Sequence, residues 1–535
     1  MFVLRRIYSP VFFFQIIFLL NISMYTTEPE NEHLENKNIE SSITPQILKD
    51  SNTSEHEETK EIVFSKTEET KPEMSKNGCP PQGTLNKHIT NGVLLLMIWC
   101  AIWSVSGLSL HPEANLLGLF IVFYSSLVGG KLLELIRIPS VPPLPPLLGM
   151  LLAGFIIRNV PFISDLVHVS NRWSSTLRNT ALTLILIKAG LGLDPQALKR
   201  LKRVCLRLSM GPCLMEACST AVISHFLMNF PWQWGFLLGF VVGAVSPAVV
   251  VPSMLLLQDK GYGIEKGIPT LLVAASSFDD ILAITGFSTC MGIVFSTGTI
   301  LHNLLISFRN IIIGILLGVV LGIFVRYFPS EDQTKLPLKR ACLVLSMCIS
   351  AVLGSNYIGI HGAGGLCTLV LTVTGGLNWT KDKTAVQKII AIAWDIFQPL
   401  LFGLVGLEVS VASLESEAIG ICIATMSLAL TIRIVFTFFL MAFAGFNFKE
   451  KIFIALSWMP KATVQAVLGP LALETARITS PSLIPYSKDV MTIAFLAILI
   501  TAPNGALLIN ILGPKLLACH DPKKIKPELT RLELH

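Results

Sequence analysis

From residue 91 onward the chain alternates long apolar runs with short polar connections, at a spacing that suits membrane-spanning helices of about 20 residues. The pattern predicts an all-α polytopic membrane protein of about fourteen spans, over 91–110, 116–135, 144–158, 173–193, 204–228, 232–256, 270–296, 301–324, 340–357, 362–378, 386–410, 419–445, 451–473 and 489–512. Ahead of them, residues 27–78 are rich in Glu, Lys, Ser, Thr and Asn and poor in aromatics. Such a segment buries too little apolar surface to fold alone. The expected division is therefore a disordered N-terminal tail over 1–90, a membrane domain over 91–513 and a short tail over 514–535. Residues 7–22 imitate a signal peptide, with Arg5 and Arg6 in front and Pro10 inside, but fall short of a comfortable span. Met24 opens a stretch that reads as an ordinary cytosolic N-terminus, which makes it an alternative start and residues 1–23 an upstream extension.

Composition agrees with lipid as the main solvent. Hydrophobic residues make up 52% of the chain and charged residues only 14%, too apolar for a soluble enzyme of this size. The net charge of +6 does not point to nucleic acid, because the basic residues sit in short loops rather than on one polar face. Their placement also orients the chain. Lys199, Arg200, Lys202 and Arg203 follow the fourth span, Lys335, Lys339 and Arg340 the eighth, and Lys381, Lys383 and Lys388 the tenth. Loops of even number thus carry the excess that marks the cytoplasmic side, and both termini are expected there. Cysteines inside the spans, such as Cys213, Cys290 and Cys367, lack metal-type spacing and read as small core residues.

Five ionisable residues interrupt the apolar runs: Glu216, Asp279, Asp280, Arg433 and Lys461. A charge at membrane depth is costly, and by default it marks an ion pathway or a buried pair. Asp279 and Asp280 lie mid-span in Ala275-Ser276-Ser277-Phe278-Asp279-Asp280-Ile281-Leu282-Ala283. Neighbours on a helix point about 100° apart, so one acid can face an ion cavity while the other faces a supporting helix. Low dielectric and mutual repulsion disfavour two bare charges, and a carboxylate so placed can hold either a proton or a cation. Glu216 and Arg433 form the natural structural pair, since arginine does not deprotonate in proteins. Asp395 and Glu408 are weaker candidates for a gate or an interfacial charge.

Helix breakers stand mid-membrane in the sixth and thirteenth spans, in Gly243-Ala244-Val245-Ser246-Pro247 and in Ser457-Trp458-Met459-Pro460-Lys461. Spans seven apart run in opposite directions, as an inverted repeat with two discontinuous crossing helices requires. Lys461 is expected to neutralise the helix C-termini meeting there.

With these stretches, and with Trp394-Asp395-Ile396-Phe397-Gln398-Pro399-Leu400, the sequence from Cys79 onward resembles the cation/proton antiporter superfamily, in its animal NHA branch, the 9B subfamily of sodium/hydrogen exchangers. The resemblance implies an NhaA-like antiporter fold and a homodimer with elevator-like alternating access. It also implies competitive binding of Na+ or Li+ and of H+ at Asp279 and Asp280, with Asp280 the principal acid and the Val245 carbonyl and Ser276 as nearby ligands. Electrogenic bacterial members carry a lysine where this chain has Arg433, so their proton-carrying lysine does not transfer. The plasma membrane of the sperm flagellum is the implied location, with a role in pH regulation. No nucleophile, metal or phosphate-loop motif stands at a useful spacing, so neither an enzyme nor a cofactor is expected. Sodium-coupled symport of an organic anion and a non-transporting scaffold are the competing functions.

Overall fold

The computed structural model describes residues 115–519 apart from 137–143, 166, 193–194, 296–299, 331–332, 361, 378, 380–381 and 412–415. The expected span at 91–110, the expected N-terminal tail over 1–90 and residues 520–535 of the expected C-terminal tail lie outside the described residues, while residues 514–516 of that tail close the last helix. Within them the chain is helical: α1 (Asn115–Leu135), α2 (Pro146–Asn159), the single turn α3 (Pro161–Ser164), α4 (Asn171–Gly192), α5 (Pro195–Met228), α6 (Trp232–Gly243), α7 (Pro247–Asp259), α8 (Ile268–Val294), α9 (Ile300–Tyr327), α10 (Leu336–Ile358), α11 (Ala363–Gly376), α12 (Lys383–Glu408), α13 (Ser416–Leu440), α14 (Phe448–Ser457), α15 (Thr463–Thr479) and α16 (Ile484–Leu516). Eight helical stretches among the described residues are long and apolar enough to cross a membrane, and α2 and α11 are shorter apolar helices.

Two expected spans are each divided into a pair of helices. The sixth ends as α6 at Gly243 and resumes as α7 at Pro247. Proline at the first helical position is already suited to a helix start, while its ring keeps Ser246 extended, at φ −87 and ψ 112. The thirteenth ends as α14 at Ser457 and resumes as α15 at Thr463, with Pro460 supplying no donor to continue the first piece. The two breaks meet: the Ser246 amide donates to the Pro460 carbonyl at 2.8 Å. The Gln465 side-chain amide donates to the Val241 and Ala244 carbonyls at 3.0 and 2.9 Å. Several backbone groups freed by one break are therefore satisfied by residues of the other.

Elsewhere glycine sets how closely helices approach. On α9, Gly314, Gly318 and Gly322 recur every four residues and lie against α11. A methyl carbon on Gly318 would stand 2.8 Å from both the Cys367 carbonyl and the Val370 Cβ. This is the close backbone contact that small residues permit between helices in lipid. The opposite side of α9 is apolar and open, with Leu305, Phe308, Leu316 and Val320 exposed, as a lipid-facing surface should be.

Candidate ion-binding site

All five charges singled out in the sequence converge where the breaks meet. Glu216 on α5, Asp279 and Asp280 on α8, Arg433 on α13 and Lys461 beside the second break are each at most 1% exposed. Glu216 accepts from two cations, the Arg433 guanidinium and the Lys461 ammonium, the latter at 2.7 Å. Arg433 also donates to the Gly243 carbonyl, the last of α6, and to Asp279 Oδ2 at 3.2 Å. A guanidinium presents five donors in a rigid fork, and three elements share this one.

The adjacent acids differ sharply in their surroundings. Asp279 Oδ2 receives the Val245 amide at 2.6 Å as well as Arg433. Asp280, about 100° further round the helix, has no hydrogen-bond partner on either oxygen among the described residues. Ser276, one turn before Asp280, is buried and donates to the Val273 carbonyl at 2.9 Å. That bond leaves the lone pairs of its Oγ for another group.

Several details depart from the sequence reading. Lys461 was expected to neutralise helix C-termini, yet its ammonium lies on Glu216 and it is Arg433 that caps α6. The physical reason is pairing: the buried Glu216 carboxylate takes the Lys461 ammonium, and Arg433, on α13, reaches the Gly243 carbonyl. The backbone amide of Lys461 is held separately by the Thr501 hydroxyl of α16 at 2.9 Å. For Val245 the resemblance implied the carbonyl as an ion ligand; its amide in addition donates to Asp279. Gln465, four residues past Lys461, closes the end of α6 and keeps a buried Oε1 without a donor among the described residues.

Asp395 and Glu408 are not brought to this centre. Asp395 is exposed on α12 near Lys188, whose ammonium stands 5.3 Å from the Trp394 ring centroid. Glu408 joins a second charged cluster that the sequence reading missed. Arg178 of α4 contacts Glu474 of α15 and lies 3.5 Å from Glu408, which is also 3.2 Å from Arg477. A cavity of about 400 Å³ lies beside this cluster; Asn179, Asn310 and Glu474 line it, together with Ile284 and Thr285, one turn past Asp280.

A buried acid pair at the meeting of two broken membrane helices defines an ion-transporter architecture, and comparison with known proteins gives the class a family. The model of the sodium/hydrogen exchanger transmembrane region matches residues 121–512, and the chain belongs to the sodium/hydrogen exchanger family. It is 68% identical to human sodium/hydrogen exchanger 9B1, over 96% of this chain and the whole of that protein. To human sodium/hydrogen exchanger 9B2 it is 59% identical, over 82% of each. Among solved structures it is similar to the sodium proton antiporter MjNhaP1 from Methanocaldococcus jannaschii at a TM-score of 0.60, with 19% identity and 74% and 97% of the two chains covered. That likeness is one of fold. Members of this family are transporters rather than enzymes, and the ions they move are substrates, with no cofactor.

Proposed function

We propose that the protein exchanges Na+ or Li+ for H+ by alternating access, with Asp280 as the carrier of either ion. One observation supports this above others: the charge balance of the centre. Glu216 and Asp279 are matched by Arg433 and Lys461, so Asp280 is the unmatched one of the three carboxylates. In low dielectric an isolated carboxylate must be neutralised. A bound proton or a bound monovalent cation does so equally in charge, and the two exclude each other. Asp279 Oδ1 and Gln465 Oε1, both buried without a donor among the described residues, and Ser276 Oγ are the further oxygens of the centre that we assign to a cation. Each loaded state carries one positive charge on Asp280, and Arg433 cannot give up a proton, so Asp280 alone exchanges one cation for one proton and any further proton would have to come from Lys461.

The reading includes fourteen spans, two crossing broken helices related as an inverted repeat, and cytoplasmic termini, all supported by the loop charges and the paired breaks. The family resemblance extends it to a homodimer moving its ion-carrying core like an elevator, in the plasma membrane of the sperm flagellum. The test is cation-driven proton flux in liposomes containing purified protein. Asp280→Asn keeps the shape and removes the charge, so flux should fall to the level of empty liposomes while the protein stays folded. Asp279→Asn should retain exchange with its working pH range moved downward, because loss of that anion leaves Arg433 less compensated beside Asp280. Native exchange by Asp280→Asn would show that the acids are structural.

A further inference from the structure

On the side of α8 that faces away from the charged centre, a second cavity of about 380 Å³ opens between α8 and α11. Its walls are Phe278 and Ile281 on α8, Val370 and Val373 on α11, and Gly190 on α4, with Lys383 of α12 at its edge. Phe278 and Ile281 bracket the two acids in sequence, yet both remain partly exposed, as do Val370 and Val373. Two apolar helix faces are thus held apart where direct packing would bury them. α11 cannot simply close the gap, because its other contacts fix it on the glycine ridge of α9.

We infer that this chamber binds a long-chain fatty acid, with the alkyl chain between α8 and α11 and the carboxylate on Lys383. The volume falls within the range of roughly 300–1,000 Å³ typical of sites that enclose a small molecule. Nearly all of the lining is hydrocarbon, which selects an alkyl chain, and the one ionic group is a cation at the first turn of α12, which selects an anionic head. A lysine ammonium has three donors, so it can meet a carboxylate in addition to a protein neighbour. A phospholipid would place its second chain in the surrounding bilayer and a bulkier head at Lys383, and it is the competing occupant that the phosphatidylserine competition tests. An occupant here sits against the back of the helix that carries Asp279 and Asp280, and so acts on whatever movement that helix makes.

Binding is separable from transport, and the experiment does not depend on the exchange reading. Full-length protein in nanodiscs of zwitterionic lipid is irradiated with a diazirine-bearing palmitate, digested and mapped by mass spectrometry. Label is expected in the peptides covering 278–281 and 369–377, displaced by unlabelled palmitate and not by excess phosphatidylserine. Val373→Trp and, independently, Ile281→Trp fill the chamber from opposite walls and should each abolish that label; two variants guard against one failing to fold. Lys383→Gln should weaken competition by palmitate about three- to fivefold, the scale of a part-exposed ion pair, with recovery in Lys383→Arg. Label that persists in both folded tryptophan variants, or that phosphatidylserine displaces as readily as palmitate, overturns the proposal.

Discussion

Glu216→Gln is the perturbation whose outcome the buried centre determines most directly. The carboxylate serves Arg433 and Lys461 together, and all three side chains are at most 1% exposed. Glutamine preserves the shape and one acceptor, but it leaves two buried cations facing a single remaining matched anion, Asp279. Breaking a buried ion pair by removing one partner costs about 3–5 kcal/mol, because the other charge is stranded without water. Lys461 can relieve part of that by losing its proton, whereas Arg433 cannot and keeps, among carboxylates, only its longer 3.2 Å contact with Asp279, so the loss of its nearer partner sets the minimum. For a roughly 400-residue domain with an unfolding entropy near 2.1 cal/mol/K per residue, 3–5 kcal/mol corresponds to a fall in Tm of about 4–6 °C. Thermal unfolding of purified protein in one detergent, followed by tryptophan fluorescence, measures it. The charge swap Glu216→Arg with Arg433→Glu should recover less than half, since Lys461 then faces an arginine and Asp279 a glutamate. A Glu216→Gln protein melting within 1 °C of the parent would refute the reasoning, and full recovery by the swap would show that Lys461 and Asp279 are not part of the unit.

Apparent Na+ affinity should weaken as pH falls, by up to about tenfold per pH unit, because each cation must replace a proton on the same acid; sodium titrations of flux between pH 6 and 9 give the slope, and a pH-independent KM would exclude competition at one site. In the second cluster, a double-mutant cycle of Arg178→Ala and Glu474→Ala should return a coupling of about 2–3 kcal/mol from thermal melts, and near-additive losses would mean the contact carries no stability. Gly318→Leu should destabilise by about 3 kcal/mol through forced separation of α9 from α11, with Gly318→Ala milder; equal melting of both would place the close approach elsewhere.

How much of this was legible in the sequence depended on whether the signal is local. A break needs only a proline and its neighbours, so Ser246-Pro247 and Met459-Pro460 fall where α6 and α14 have already ended. A charge in an apolar run is equally local, and the five named residues do meet. Which charge meets which is not local. Glu216 and Lys461 are 245 residues apart, and nothing in either segment distinguishes a one-cation from a two-cation carboxylate. Asp279 and Asp280 are chemically identical in sequence; only the position of Arg433 and the Val245 amide makes one matched and the other not. Arg178 and Glu474 escaped notice because charges toward the ends of spans look the same whether they reach water or a buried partner.

The order in which the charges are strung along the chain has a consequence for biosynthesis. Glu216 is 217 residues ahead of Arg433, and Asp279 is 154 ahead. At about 5–20 residues per second, Glu216 is made roughly 10–40 s before its first partner. A carboxylic acid can wait in the bilayer as a neutral, protonated group, which a guanidinium cannot do. The acids of the centre come first and the bases last, so no unpairable charge is stranded while the second half is being synthesised. Arg178 runs against this order, preceding Glu408 by 230 residues, but it lies near the start of α4 and its long side chain can reach the interface meanwhile. Exchanging the two halves of the chain by circular permutation would deliver Arg433 and Lys461 to the membrane ahead of any acid, and insertion of the permuted protein should fail even though its finished fold would be the same.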